Sequence, residues 1–235
     1  DPTSAIYHSD DILVRELLAQ LTQRTAEGPC FSFSVSYQNH GPYESAYSAG
    51  VEYFTPANSG MGAESCHIWN NYLRGVDSTI QAMVQLTQGL EELDRPVVLV
   101  LFGDHKPWGG NGNSAYADMG LTFDLGTLQG FYDYYATPYL IWANSAAKEV
   151  LDSDFTGSGG DFSPCFLMPK VFDLCGWTGP AFMQLARQVR EITPLVHERG
   201  LYLSDGQITD TLPQGQQDFV DRFLWAEYWR ENNGR

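Results

Sequence analysis

The residues best suited to chemistry are an aspartate and a histidine that follow a run of apolar residues. The apolar run ends at Phe102, and Asp104 and His105 follow it after a single glycine. This residue, Gly103, lets the backbone turn without a Cβ clash. A carboxylate and an imidazole on consecutive residues can supply oxygen and nitrogen ligands to one divalent cation. The alternative is that Asp104 caps the next turn and that His105 is an ordinary loop residue.

A second histidine occupies a comparable place elsewhere in the chain. His40 lies in the segment Asn39–Tyr43, which follows an alternating run of apolar and small polar residues. It could donate a hydrogen bond to an anionic oxygen of a substrate, or it could be a structural turn residue. Three aspartates either add metal ligands or are solvated: Asp118, Asp124 and Asp133. The other histidines are interpreted as surface or packing residues: His8, His67 and His197.

Several familiar sites are missing from the sequence. There is no GxSxG elbow of a serine hydrolase, no GxGxxG after a strand and no phosphate-binding P-loop. The neighbours Cys66 and His67 would point to different faces of a helix, which disfavours a nucleophilic pair. No CxxC pair is present, so a structural zinc cluster is not expected, and spacing alone does not say whether any of the cysteines are bridged: Cys30, Cys66, Cys165 and Cys175.

The composition excludes two classes of partner. The chain has 235 residues, with 13 basic and 29 acidic side chains and a net charge of −16. Such a surface repels nucleic-acid phosphates and does not dock on anionic lipid through a basic patch. The longest apolar run, Pro96–Phe102, falls far short of the roughly 20 residues of a membrane helix, and no signal peptide stands at the start. The chain as given is therefore expected to be soluble.

The elements that would hold these residues alternate between helices and strands. Residues 65–93 carry a helical pattern, and Val97–Phe102 has the continuous apolar composition of a central parallel strand covered on both faces. This order predicts an α/β sheet whose reactive groups lie beyond the carboxyl ends of strands. Gly103–Thr137 is long enough to be a functional loop. The other predicted elements are a helix from Ser9 or Asp10, strands at 30–37 and 139–143, a helix at 181–199 and a last short helix near Phe219–Tyr228.

Together these segments resemble the lipoteichoic acid synthase-like branch of the sulfatase and alkaline phosphatase superfamily, in the C-terminal part of its extracellular catalytic domain. The most specific motif is the strand that ends in Gly-Asp-His at His105. The other matching segments are 31–43 with its N-H-x-P loop, 135–142 with T-P-x-x-I-W, 161–168, and the turn at 172–176. The resemblance implies that residues 1–235 are a single fragment of an alkaline phosphatase-like three-layer domain with a central, mostly parallel sheet.

The resemblance also implies a function. It indicates a metal-dependent phosphoglycerol transferase or a sulfuric or phosphoric ester hydrolase acting on a small anionic ester or a lipid-linked phosphoglycerol. Asp104 and His105 would bind one divalent metal, manganese in the synthases, with magnesium, zinc or calcium as alternatives. His40 would contact the substrate head group. The nucleophile and a metal-binding glutamate would precede Asp1, so no catalytic residue is assigned here and the chain alone is expected to be inactive.

The resemblance places the parent protein at the extracytoplasmic face of the bacterial cell membrane, attached through N-terminal helices that this chain lacks. The missing first strands would expose a sheet edge through which a homodimer could form. Lys106-Pro107-Trp108 departs from the synthase pattern, which leaves the ester class open. An alternative from another class is a non-catalytic cell-wall glycan-binding or scaffold domain with an inherited fold. Its loop aromatics would either stack on sugar rings or pack against the domain: Tyr43, Tyr47, Tyr53, Trp108, Tyr116, Tyr132, Tyr134 and Tyr135.

Overall fold

The computed structural model describes residues 9–23, 28–46 and 50–233. These residues form two compact units. The first runs to Leu140 and includes Asn144–Ala146, and the second comprises Ile141–Ala143 and the chain from Ala147 onward. Helices and strands are mixed along the chain, which confirms the predicted α/β class.

The elements occur in the following order. The helices of the described residues are α1 (Asp10–Gln23), α2 (Pro56–Ser59), α3 (Ala63–Glu91), α4 (Ser114–Asp118), α5 (Leu128–Tyr135), α6 (Ser145–Leu151), α7 (Leu167–Leu174), α8 (Ala181–Ile192) and α9 (Gln214–Asn233). The strands are β1 (Val98–Phe102), β2 (Tyr139–Ala143), β3 (Val196–His197), β4 (Leu201–Ser204) and β5 (Gln207–Thr209). Short 3-10 helices cover Asn111–Asn113 and Pro164–Phe166.

Helices α1 and α3 confirm the helical periodicities of the sequence and pack against each other. Val14 of α1 is buried, and Leu18 lies so close to Gly89 of α3 that a Cβ on that glycine would be 2.7 Å from a Leu18 methyl. The absence of a side chain at Gly89 therefore lets α1 approach α3 closely. The predicted end of α1 falls in residues 24–27, which lie outside the described residues.

The buried face of α3 is narrower than its sequence predicts. Ile80 and Val84 belong to the apolar stripe, yet they are 56% and 49% exposed. The first third of the helix instead carries the core of the first unit. Its buried members are Met61, Cys66, Ile68, Trp69, Ala115 and Tyr116. The aromatic residues of this core come from α3 and from the segment after β1, so the core ties that segment to the helix.

Strand β1 pairs with β2, but the pair is antiparallel. The Gly103 amide donates to the Pro138 carbonyl, and the Asn144 amide donates to the Val97 carbonyl, each at 3.1 Å. The two strands therefore run in opposite directions. The prediction of a central parallel strand covered on both faces is not met by the described residues, in which β1 and β2 form a two-stranded sheet. An apolar run indicates burial, but it carries no information about the direction of its neighbour.

The predicted strand at 30–37 has no regular secondary structure and no strand pairing in the described part of the chain. Its alternate apolar side chains are exposed, with Phe31 at 78%, Phe33 at 67% and Val35 at 71%. Alternation of this kind marks a potential sheet face, whereas a strand also requires a hydrogen-bonded neighbour. This prediction is therefore wrong for the structure as described.

The segment between β1 and β2 is more ordered than a single functional loop. It contains the 3-10 helix Asn111–Asn113 and the helices α4 and α5. Helix α5 begins after Thr127, whose hydroxyl accepts a hydrogen bond from the Gly130 amide at 3.1 Å. Such a side-chain cap satisfies an amide at the start of a helix.

The second unit has its own core and an antiparallel sheet in the order β3-β4-β5. Its core residues are Phe166, Ala186, Val189, Tyr202, Val220 and Phe223. Helix α8 ends at Ile192 rather than near 199, because Thr193 is extended and Pro194 follows it. Helix α9 has 20 residues and is longer than predicted. None of the described helices is both long and apolar enough to span a membrane.

The four cysteines all lie in the described residues, and no disulfide joins any two of them. Cys66 and Cys175 are buried. Burial raises the pKa of Cys165 to about 12, so this side chain stays a protonated thiol at neutral pH.

Asn144 joins the end of α3 to the start of β1. Its side chain is fully buried, and Nδ2 donates to the carbonyls of Leu90 at 3.1 Å and Arg95 at 2.9 Å. Its Oδ1 accepts from the Val97 amide at 2.9 Å. The Asn144 side chain thus bonds to backbone groups at the end of α3, in the following turn and just before β1. It therefore fixes the path of the chain from α3 to β1.

We expect Asn144→Ala to lower the free energy of unfolding by about 2–3 kcal/mol, because several buried backbone groups lose their partner. Urea denaturation followed by circular dichroism measures this change. The control is Asn232→Ala, since Asn232 is exposed and bonds only within α9; a change within about 0.5 kcal/mol is expected there. Equal stability of the two variants would contradict the role given to Asn144.

Candidate active site

The backbone that presents Asp104 and His105 is held at the end of β1. The Gly103 carbonyl accepts from the Thr137 hydroxyl at 2.7 Å, and the Gly103 amide donates to the Pro138 carbonyl. A Cβ on Gly103 would lie 3.2 Å from the Thr137 Cβ, so a larger residue would push these segments apart. The two candidate ligands therefore start from a fixed point on the sheet, as their sequence position predicts.

The side chains of Asp104 and His105 are oriented as a pair. His105 Nδ1 lies 2.8 Å from the Lys106 carbonyl, which can only accept, so Nδ1 carries a proton and in the neutral ring Nε2 has the lone pair. Asp104 Oδ1 accepts from the His105 amide at 2.9 Å, and Oδ2 lies 3.6 Å from His105 Nε2. Both side chains are largely exposed, at 77% and 68%.

This arrangement fits one divalent cation. Oxygen and nitrogen ligands lie about 2.0–2.2 Å from a cation such as zinc, so two of them on one tetrahedral ion are roughly 3.4 Å apart. The distance of 3.6 Å between Asp104 Oδ2 and His105 Nε2 is close to that spacing. A carbonyl that holds the other ring nitrogen is the usual way in which a metal-binding histidine is oriented.

No third ligand joins the pair within residues 9–23, 28–46 and 50–233, where no group of three His, Cys, Asp or Glu side chains could hold a metal. The three aspartates of the following segment have local partners instead. Asp118 accepts from the Ser65 hydroxyl at 2.6 Å and from the Gly62 amide, and these bonds lower the pKa of its carboxyl group. Asp124 and Asp133 bond to groups within five residues. These local partners favour the interpretation that the three aspartates are solvated and do not add metal ligands.

His40 lies on an exposed loop and is held from two sides. Its Nδ1 is 2.7 Å from the Gly41 carbonyl, and its ring stacks on Tyr37 with centroids 4.7 Å apart. The carbonyl again assigns the proton to Nδ1, so Nε2 is an acceptor in the neutral ring. His40 can therefore donate from Nε2 to an anionic oxygen only as the imidazolium ion.

The structure brings the loop of His40 against the segment that follows His105. A Cβ on Gly41 would lie 2.7 Å from the Trp108 Cβ, so the two backbones approach as closely as a glycine allows. The Tyr43 ring lies 6.1 Å from Trp108 and 5.3 Å from Tyr72 of α3. The sequence gives no signal for the contact between Gly41 and Trp108, because these residues are far apart along the chain.

Most aromatics of the site loops pack inward. Tyr43, Trp108 and Phe123 pack against the core that contains Trp69 and Tyr116, and the Tyr116 hydroxyl donates to the Pro107 carbonyl at 2.8 Å. Burial raises the pKa of Tyr116 to about 12. These rings fix the positions of the loops, and Tyr47 lies outside the described residues.

The sequence matches the family model named Sulfatase over residues 2–177. The chain belongs to the sulfatase family. Membership of this family supports the expected assignment to a hydrolase or transferase in general. The specific reaction stays a prediction. The match ends after the turn at Gly176, so α8, β3–β5 and α9 of this sulfatase-family chain lie beyond the matched region.

Two relatives come from Rhizobium meliloti (strain 1021). A protein named for cyclic beta-1,2-glucan modification is 26% identical over 183 residues, which cover 75% of this chain and 26% of the relative. The capsular polysaccharide biosynthesis protein RkpI is 34% identical over 102 residues, which cover 43% of this chain and 16% of the relative. The sulfatase-family chain thus corresponds to about a quarter of the first relative and less of the second. No solved structure matches it significantly.

We expect three tyrosines of this site to ionise at a higher pH than an ordinary tyrosine. Burial raises the pKa of Tyr43, Tyr72 and Tyr116, and each of these phenols keeps its proton in the folded protein where the unfolded chain would lose it. Stability that these protons support is present below pH 10 and is lost as the pH rises toward 12. Absorbance at alkaline pH should show a late phase, and Tyr116→Phe should reduce it. A late phase unchanged in that variant would contradict the burial of Tyr116.

Proposed function

We propose that this domain is part of an enzyme that transfers or hydrolyses a phosphoglycerol or sulfate ester with the help of one divalent metal ion. The orientation of Asp104 and His105 carries the proposal, because the Lys106 carbonyl leaves His105 Nε2 available beside Asp104 Oδ2. The names of the two Rhizobium relatives support a polysaccharide as the carrier or acceptor of the ester group. The likeness of the Gly-Asp-His and N-H-x-P motifs to lipoteichoic acid synthases favours the phosphoglycerol ester.

The residues of this chain have distinct roles in the proposal. Asp104 and His105 would hold the cation, with manganese as the expected ion. When bound, the cation supplies Lewis acidity and lowers the pKa of a coordinated hydroxyl nucleophile. His40 would bind an oxygen of the ester as the imidazolium ion. Because the chain carries a net charge of −16, an anionic substrate needs such local positive groups to approach.

The proposal extends to the location of the enzyme. The capsular polysaccharide in the name of one relative, together with the resemblance to extracellular synthase domains, supports an extracytoplasmic site of action. The same resemblance implies that a complete active site contains a nucleophile and a further acidic ligand. Those groups are not among the residues that we assign in this chain.

Metal binding by this chain tests the proposal directly. We expect Mn²⁺ to bind to the wild-type chain and to bind at least about tenfold more weakly to Asp104→Ala and to His105→Ala, since each variant loses one of two protein ligands. Isothermal titration calorimetry or the paramagnetic relaxation of water protons measures the affinity. The matched control is Asp124→Asn, an exposed aspartate of the same segment with a bond to its own turn.

Unchanged Mn²⁺ affinity in both ligand variants would overturn the assignment. The reaction itself is tested in an enzyme that contains this domain, with a nitrophenyl phosphodiester, a nitrophenyl sulfate and a phosphomonoester as substrates. Metal-dependent turnover of one of them should be lost in Asp104→Ala and kept in Asp124→Asn. Equal turnover in wild type and Asp104→Ala would rule the mechanism out.

A second candidate function is glycan binding without catalysis. The observation that favours it is the outer face of α9, where Trp225, Tyr228 and Trp229 are 70%, 59% and 61% exposed. Exposed aromatic rings offer a flat apolar surface with polar edges, which suits a sugar ring. The loop aromatics at the site do not support this candidate, because Trp108 and Tyr116 pack against the core.

Binding of a neutral beta-glucan separates the two functions. If glycan binding is the main activity, it should survive the double variant His40→Ala/Asp104→Ala and be lost in Trp225→Ala/Trp229→Ala. Under the enzymatic proposal the first double variant loses turnover whether or not the glycan binds. Tryptophan fluorescence quenching or affinity electrophoresis measures glycan binding.

A further inference from the structure

Asp10 is a buried carboxylate that the proposed reaction does not use. It is the first residue of α1 and is 1% exposed. Its Oδ2 accepts a short hydrogen bond of 2.6 Å from the Thr79 hydroxyl on α3, whereas no described residue donates to its Oδ1. A buried carboxylate with one bond is costly, so a neutral residue would serve better if Asp10 only filled space.

The bond from Thr79 to Asp10 sets the direction of a longer chain of hydrogen bonds. The Thr79 hydroxyl has a single proton, and that proton is donated to Asp10 Oδ2. The Thr79 oxygen is then free to accept, and Asn39 Nδ2 donates to it at 2.8 Å. The Asp10 carboxylate therefore determines that the Asn39 side chain presents its NH2 group, and not its oxygen, to Thr79.

The other end of the Asn39 amide confirms that this orientation is tightly defined. Its Oδ1 faces Gly75, one turn before Thr79 on α3, and a Cβ on that glycine would lie only 2.1 Å from it. Asn39 thus sits in a slot between Thr79 and a residue without a side chain. Any group larger than hydrogen at position 75 would displace Asn39.

A parallel set of bonds holds the neighbouring residue. Gln38 Oε1 accepts from the Asp10 amide at 3.1 Å, and Gln38 Nε2 donates to the Gly75 carbonyl at 3.0 Å. On the far side of His40, the Tyr43 hydroxyl donates to the Asn39 carbonyl at 2.6 Å. The loop around His40 is therefore anchored to α1 and α3 immediately before the histidine, and it is closed on itself immediately after.

We propose that Asp10 is a positioning residue that acts through Thr79 and Asn39 to fix the place of His40 in the candidate site. The positioning of His40 stands on the hydrogen bonds alone, and its consequence for anion binding rests on the proposed function. Asp10 touches neither His40 nor the candidate metal ligands in any bond described above. Its effect on the site must therefore pass through the loop.

The test follows the imidazole resonances of the folded chain by nuclear magnetic resonance. Asp10→Ala and Thr79→Val each break the chain of hydrogen bonds, and we expect them to shift the His40 ring signals while those of His197 stay in place. Asp10→Asn should restore the wild-type His40 signals, because its carbonyl oxygen can still accept from Thr79. Gly75→Ala should shift His40 without altering Asp10, and alanine is otherwise favoured over glycine in a helix.

The matched control is Asn144→Ala, which removes a buried side-chain network of the same unit that shares no partner with the His40 loop. A comparable loss of stability without a His40 shift is expected there. His40 signals that are unchanged in folded Asp10→Ala and Thr79→Val would overturn the inference. So would an equal shift in Asn144→Ala, because the effect would then reflect general loosening.

Binding of inorganic sulfate, measured at acidic pH on the same variants, separates this inference from the proposed function. We expect Asp10→Ala to weaken sulfate binding by about tenfold, by analogy with the loss of a partner that orients a metal-binding histidine, and Asp10→Asn to restore it. If the His40 signals move as expected but wild-type sulfate affinity equals that of His40→Ala, the positioning role stands and the substrate role of His40 fails.

Discussion

Two backbones approach each other at Gly41 and Trp108 with no room for a Cβ, and this contact joins the two halves of the candidate site. Trp108 is held in place for this contact because its ring packs against the aromatic core that includes Trp69 and Tyr116. A ring of that size buries a large apolar area and tolerates little displacement. The loop with His40 and the segment with the Asp-His pair are therefore parts of one packed surface.

Helix α3 determines where both halves lie. Near its start, Trp69 packs on the segment after β1, and Trp69 Nε1 donates to the Ala115 carbonyl. In its middle, Thr79 receives the Asn39 amide, and at its end the Leu90 carbonyl receives Asn144. The first contact combines aromatic packing with a hydrogen bond, whereas the other two are hydrogen bonds from side-chain amides. Their common support on one continuous helix keeps the distances between them constant.

The sequence predicts the parts of this arrangement that depend on local pattern. The periodicities of α1 and α3 and the position of Asp104 at a strand end can be predicted because each follows from neighbouring residues. The pairing of β1 with β2 cannot be predicted in this way, since an apolar run has the same composition in either direction. The predicted strand at 30–37 is wrong for a related reason, because strand formation depends on a partner elsewhere in the chain.

The same distinction applies within the site. The orientation of the His105 ring follows from the carbonyl of the next residue, so a local motif suffices to set the direction of Nε2. The position of His40, in contrast, depends on Asp10 and Thr79, which are 30 and 39 residues away and carry no motif. A buried carboxylate is costly, and the sequence alone does not reveal it, because an aspartate at the start of a helix is usually an exposed cap. The two halves of the candidate site thus differ in how they are specified: the orientation of Asp104 and His105 depends on their own neighbours, whereas the position of His40 depends on a chain of hydrogen bonds that only the folded unit assembles.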